Sequence, residues 1–161
     1  MDYRHATVDD VAAIQRVAER SWDHDYPAIL TRESAREAVH DWYSTGQLEH
    51  DATAADVRLL VACEDDEVVG FAHGIVDDET GTLLRVYVDP DHRGKGAGRA
   101  LVEYSIDEFS TAGVERVEAM VLAENEPGNE FYSALGFELV QRATTTIGDE
   151  PHDEHIYLKL V

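Results

Sequence analysis

Hydrophobic positions change their period along the chain, and the changes divide it into elements. Val11, Ile14, Ala18 and Trp22 fall on one side of a helical wheel with Val17 flanking them, so "TVDDVAAIQRVAERSW" predicts an amphipathic helix. Thr7, followed three places on by Asp10, forms a capping arrangement ahead of it. After Pro27, a second helix is predicted from Ala35, Ala38, Val39, Trp42 and Tyr43 at helical spacing, with Ser34 and Glu37 as a capping box. The period then shortens. "VRLLVAC", "VVGFAHGIV" and "TLLRVYV" read as three successive strands, the first two joined into a hairpin by the acidic turn "EDDE". Leu101, Val102, Ser105, Ile106 and Phe109 predict a helix ending near Gly113, and "VEAMVL" a strand after it. A short helix around "NEFYSAL" stops at Gly136, and "HIYLKLV" alternates as a half-buried strand does. With "YRHA" as a first strand, the expected order is β, α, α, β, β, β, α, β, α, β, β. No internal repeat and no Ser- or Pro-rich linker interrupts it.

A chain of 161 residues is long enough for one real core and too short for two ordinary ones, so residues 1–161 are expected to form a single domain. The formal net charge of -21 argues against general nucleic-acid binding and against attraction to an anionic membrane, both of which need basic surface. Acidic residues run from Asp2 to Glu154 among a normal 43% apolar content, which describes a folded acidic surface and not a disordered tail. Lysine occurs only at Lys95 and Lys159. The pattern resembles proteins of salt-loving organisms, whose carboxylate-rich surfaces stay hydrated in concentrated salt. At about 1 M salt the screening length falls to roughly 3 Å, and repulsion among these carboxylates is then mostly screened. No apolar stretch approaches a membrane span, and "MDYRHATVDD" lacks the apolar core of a signal peptide, so a cytoplasmic protein is expected. The single cysteine, Cys63, lies in an apolar run and reads as a small buried hydrophobe.

Against this acidic background, "VYVDPDHRGKGAGRALVEY" keeps a local basic patch of Arg93, Lys95 and Arg99 around three glycines. It is not a Walker A loop, because Gly96 follows Lys95 where a hydroxyl is needed. It is not a dinucleotide fingerprint, since the last glycine position falls on Arg99 or Leu101. An EF-hand fails as well, with Arg93 at a ligand place and Ala100 where a bidentate Glu is required. What is left is a strand, a glycine-rich turn and a helix start, where backbone N–H groups converge on a point that attracts an anion.

The segment Arg93-Gly94-Lys95-Gly96-Ala97-Gly98 fits the R/Q-x-x-G-x-G/A signature of the GNAT superfamily of N-acetyltransferases, and the surrounding strand, loop and helix resemble that family throughout. Asn125, then Phe131 and Tyr132, then "ALGF" at 134–137 resemble its second motif, at the family's order and separation. The resemblance implies an α/β (α+β) fold with a mixed, mostly antiparallel sheet of about seven strands, splayed between the fourth and fifth and flanked by about four helices. It also implies acetyl-CoA between the splayed strands. The pyrophosphate would rest on the backbone of Gly94, Lys95, Gly96, Ala97, Gly98 and Arg99, with Arg93 at the signature's first position. Backbone groups of Val86 and Val88 would pair with the pantetheine, and Asn125 would touch the cofactor from the other side. The family usually has Ala where this chain has Gly128, and Pro127 precedes it, which weakens the expected start of the short helix.

Transfer of an acetyl group to an amine through a tetrahedral intermediate poses two proton problems. The phenol of Tyr132 matches the family's acid, protonated at neutral pH and able to donate to the leaving sulfur. Glu118, His73 and Glu79 are candidates for removing the amine's proton, and none stands out. "EPHDEH" offers His152, Asp153, Glu154 and His155, but it reads as a solvated hairpin connection, and no metal is expected. For the acceptor, the family uses the first two helices and their connection, so Trp22 and Tyr26 are candidate walls, and Asp23 and Asp25 candidate partners for an ammonium. Trp22 equally continues the buried stripe of the first helix, in which case the pocket lies along the last hairpin, between Arg142 and His155. Two functions stay open: an acyltransferase acting on a primary amine of a small molecule, peptide or protein, and an acyl-CoA-binding sensor or interaction module without turnover. A homodimer is left open too.

Overall fold

A computed structural model describes residues 1–25, 43–147 and 150–161. The strands are β1 (Asp2–His5), β2 (Val57–Glu64), β3 (Glu67–Asp77), β4 (Thr80–Val88), β5 (Arg116–Leu122), β6 (Glu138–Ile147) and β7 (Glu150–Leu160), in one sheet ordered β1-β2-β3-β4-β5-β7-β6. Every neighbouring pair is antiparallel except β4 and β5. Four α-helices are described: α1 (Val11–Asp25), α2 (Thr45–Thr53), α3 (Ala97–Thr111) and α4 (Glu126–Ala134). This is the expected open mixed sheet with four helices. None of the described helices is long and apolar enough to cross a membrane.

Each face of the sheet has its own core. The predicted stripe of α1, Val11, Ile14, Val17, Ala18 and Trp22, is buried against Leu59, Val61, Phe71, Leu122 and Ile147. On the other face Val102 and Phe109 of α3 and Tyr132 of α4 pack with Leu83, Val117, Ala119 and Tyr157. Cys63 is buried in the first of these cores.

The acidic turn closes the β2–β3 hairpin with Asp65 and Asp66 at φ of 51° and 65°, the left-handed pair that a two-residue hairpin turn uses. Asp10 meets the Thr7 N–H at 2.8 Å ahead of α1, as the capping pattern predicts, and is clamped by both Arg4 Nη atoms. The sequence reading missed α2. Its signal was the Ser44-x-x-Gln47 spacing, since Ser44 Oγ accepts the Gln47 N–H, with Leu48 fully buried one turn on. The predicted helix over Ala35, Ala38, Val39 and Trp42, with Ser34 and Glu37, lies outside the described residues. Its last member, Tyr43, is buried edge-on to Phe71.

Two further expectations are corrected. "EPHDEH" is no hairpin connection: β7 begins at Glu150, and His152 and His155 pair in register with Thr145 and Arg142 of β6. Pro151 sits next to the strand's first residue, where a missing N–H is tolerated. The start of α4 is not weakened by Pro127 and Gly128. Asn125 Oδ1 caps it by accepting the Gly128 N–H at 3.1 Å, and Pro127 stands in the first turn, where no intrahelical carbonyl awaits its N–H.

Candidate active site

The cleft follows from two irregularities in β4. Pairing with β3 joins His73 to Arg85 and Gly74 to Leu83, so Leu84 is an extra residue, a β-bulge that bends the strand. Parallel pairing with β5 ends at Leu83 and Ala119. Beyond that point Leu84 to Val88 leave the partner strand, while β5 continues to Leu122 along β7. The split opens a cleft of about 910 Å³.

On the α3–α4 side the cleft is lined by Val86, Val88, Arg93, Gly94, Gly96, Ala97, Gly98 and Arg99. Gly94 and Gly96 both have φ of +81°, and an added Cβ at either would meet nothing within 4 Å. Glycine is needed there for its backbone conformation, and the space above it is open. Gly96 stands at the N-cap of α3, where no side chain among the described residues caps the helix, so its first-turn N–H groups face the cleft end with their partial positive charge. Arg93 donates from Nε to the Val88 carbonyl at 2.9 Å, and Arg99 from Nε to Glu103 at 2.9 Å. Lys95 does not line the cleft. Its ammonium reaches both Glu64 oxygens at 3.1 Å, holding that carboxyl, together with His92, below the usual range.

Across the split, Asn125, Phe131 and Tyr132 form the far lip. Asn129, which sequence reasoning overlooked, ties this lip down. Its Nδ2 donates to the carbonyls of Leu122 and Asn125 at 3.1 and 2.7 Å, and its Oδ1 accepts the Tyr157 hydroxyl at 2.5 Å. Gly128 is a fitted departure from alanine, because a Cβ there would come within 2.6 Å of Asn125 Nδ2. Tyr132 is buried, stacked on Tyr157 at 6.2 Å and edge-on to Phe137 at 5.4 Å, yet it lines the cleft. Burial, reinforced by Tyr87, pushes its phenol well above the ordinary value against an opposing contribution from Arg85, so it stays protonated.

The α1–α2 side of the cleft carries Trp22, Arg85, Tyr87 and Glu154. Trp22 is buried in the α1 stripe, and its ring, edge-on to Tyr87 at 6.4 Å, also borders the cleft. Asp23 is exposed and is not among the lining residues. Tyr26 lies outside the described residues, and the Asp25 side chain does too. From the last hairpin come Thr145, Ile147 and Glu154. Burial raises the Glu154 carboxyl, with Arg85 opposing. None of Glu118, His73 and Glu79 lines the cleft. His73 instead sits 3.4 Å from Asp51 of α2, and burial lowers its pKa despite that carboxylate, leaving a neutral imidazole. Among the described residues no group of three His, Cys, Asp or Glu side chains is arranged to hold a metal ion.

A sheet split after a bulged strand, with a glycine turn on one side and a buried phenol on the other, defines the class, and sequence comparison agrees. The profile of the acetyltransferase (GNAT) family matches residues 14–137, and the chain belongs to that family. It is 31% identical over 163 residues to a mycothiol acetyltransferase of Propionibacterium freudenreichii, covering 95% of this chain but only 47% of that protein. A spermidine N(1)-acetyltransferase of Thermoplasma acidophilum is 24% identical over 143 residues, 86% of this chain and 89% of that one. The crystal structure of the PaiA N-acetyltransferase from Thermoplasma acidophilum in complex with coenzyme A superposes with a TM-score of 0.89 at 22% identity, over 99% of this chain and 98% of that one.

Proposed function

We propose that the protein is an acetyl-CoA-dependent N-acetyltransferase that moves an acetyl group directly to a primary amine of a small molecule, peptide or protein. One observation carries this reading: a protonated, buried phenol borders the same split whose other lip is an uncapped, glycine-built helix start. The donor fits these residues. The N–H groups from Gly94 to Arg99 would take the pyrophosphate, with Arg93 and Arg99 adding charge and Lys95 contributing through its backbone alone. The unpaired edge of β4 at Val86 and Val88 would hold the pantetheine, and Asn125 would close the opposite lip. Acetyl-CoA supplies an activated thioester carbonyl. Tyr132 then holds a proton where the sulfur departs, which raises the rate by stabilising a thiolate that is poorly solvated in a narrow cleft. A sensor module without turnover has no use for that phenol.

The relatives' names point to amine acceptors of different kinds, and the same class of acceptor is proposed here. We read the acidic surface as an adaptation to a salt-rich cytoplasm, the compartment that also supplies acetyl-CoA. The test is a melting curve with and without acetyl-CoA in molar potassium chloride, followed by thiol release with a panel of primary amines. A cofactor-dependent shift and release with at least one amine are expected. Absence of both sinks the reading.

A further inference from the structure

We infer that Glu154 is the general base of the transfer, its carboxylate taking the proton of the attacking amine on the α1–α2 side of the sheet. The inference rests on the acetyltransferase reading and supplies a group that reading lacks. Among the described residues three carboxylates line the cleft: Glu124, Glu126 and Glu154. Glu124 has a side chain 59% exposed and leans toward His152 at 3.6 Å, and Glu126 is exposed in the first turn of α4. Glu154 alone is half-buried.

Its position is set by register. Glu154 pairs across the ladder with Leu122, the last residue of β5, at the end of the strand that β4 has left. Paired residues share a face, and Leu122 belongs to the core beneath α1. Three places along β7, Tyr157 lies on the opposite face, stacked on Tyr132. The carboxylate and the phenol therefore reach one split from opposite sides of the sheet. An amine entering beside Trp22 meets the first, while a sulfur held along the α3–α4 side meets the second.

Arg85 from β4 is the charge that acts on Glu154, and the cleft it lines also carries the titratable groups of Glu124, Glu126, His24, Tyr87, Arg93, Arg99 and Tyr132, with His152 two places away on its own strand. β6 contributes Ala143 and Thr145, which carry no charge. Burial outweighs Arg85 and raises the carboxyl above its ordinary value, which makes it a better proton acceptor than an exposed glutamate. In the step itself the amine nitrogen bonds to the acetyl carbon, and its proton passes to Glu154. The carbon–sulfur bond breaks, and sulfur takes the Tyr132 proton. Solvent then carries the proton from the Glu154 acid to the tyrosinate, leaving an amide and free CoA.

The experiment compares wild type, Glu154→Gln and Glu154→Asp in thiol release from acetyl-CoA, with spermidine and an alanine-initiated peptide as acceptors. Glu154→Gln is expected to lose about 100-fold or more in kcat, within the range of general-base contributions, while keeping the wild-type melting shift with acetyl-CoA. On the acid side, wild-type kcat/KM falls as the carboxylate is protonated, and with the same amine that inflection disappears in Glu154→Gln. Glu154→Asp, which keeps a carboxylate, recovers part of the rate and the inflection. A wild type that turns over while Glu154→Gln matches it in rate and pH profile overturns the base assignment alone. A wild type with no cofactor shift and no release removes the acetyltransferase reading and this inference with it.

Discussion

The two sides of the cleft are made of different material. On the α3–α4 side the groups proposed to hold the donor are mainly main chain: the turn at Gly94 and Gly96, the start of α3 and the edge of β4 beyond Leu83. On the α1–α2 side the lining groups are side chains, Trp22, Arg85, Tyr87 and Glu154. Backbone donors recognise a phosphate whatever most neighbouring side chains are, so a short pattern of glycines suffices to encode them. A wall of side chains changes its preference with each substitution. The first half can therefore be written in a short local motif, and the second cannot.

The comparison breaks most sharply at Tyr132, the side chain placed on the main-chain side. Tyr132→Phe keeps the packing against Tyr157 and Phe137 and removes only the hydroxyl, so turnover is expected to fall about 100- to 10,000-fold with acetyl-CoA affinity unchanged. Unaltered turnover would mean that water protonates the sulfur. A smaller loss follows from spoiling the backbone itself. Gly96→Val forces a β-branched residue to a φ of +81°. That conformation costs about 1–2 kcal/mol, or some 2–8 °C of melting temperature, and the valine also intrudes on the phosphate position. The acetyl-CoA melting shift should shrink with it; an undiminished shift would move the pyrophosphate elsewhere.

Salt acts on everything outside that local basic patch. With thirty-four acidic against thirteen basic residues, the melting temperature should climb from dilute buffer to molar potassium chloride as the screening length contracts from about 10 to 3 Å. A flat profile would show that the surface needs no screening. The smallest effect is expected at Asp23, which is exposed and off the cleft: Asp23→Asn should leave the Michaelis constants of both substrates within about twofold. A raised constant for the amine alone would extend the side-chain wall along α1.

What the sequence disclosed matches this division. The glycine turn, the α3 start and the Asn125-to-Phe137 motif are local, set by turn chemistry and helix signals within about a dozen residues, and they could be placed before any contact was known. The central strands were legible as short apolar runs because both of their faces are covered, and the last one by its alternation. The helix at Thr45–Thr53 was not, since it buries little beyond Leu48 and Asp51 and its one clear signal is a cap. Glu154 was hidden for a different reason. Within "EPHDEH" it looks like one solvated acid among several, and only pairing with Leu122, thirty-two places away, brings it to the split. Arg85 likewise passed as one residue of an apolar strand until the bulge gave it a side.

That bulge carries a further consequence. With Leu84 standing out of the ladder, Arg85 and Tyr87 turn to one face, beside His73 and Phe71, and Val86 and Val88 to the other, beside Ala72 and Gly70. Had Leu84 paired normally, the four would be exchanged, with the cation and the phenol turned toward α3 and the valines toward α1. On the proposed reading a single strand serves both substrates, with residues 85 and 87 turned to the acceptor and 86 and 88 to the donor. Substitutions at 85 and 87 are then expected to change the choice of acceptor while the donor's seat stays as it is.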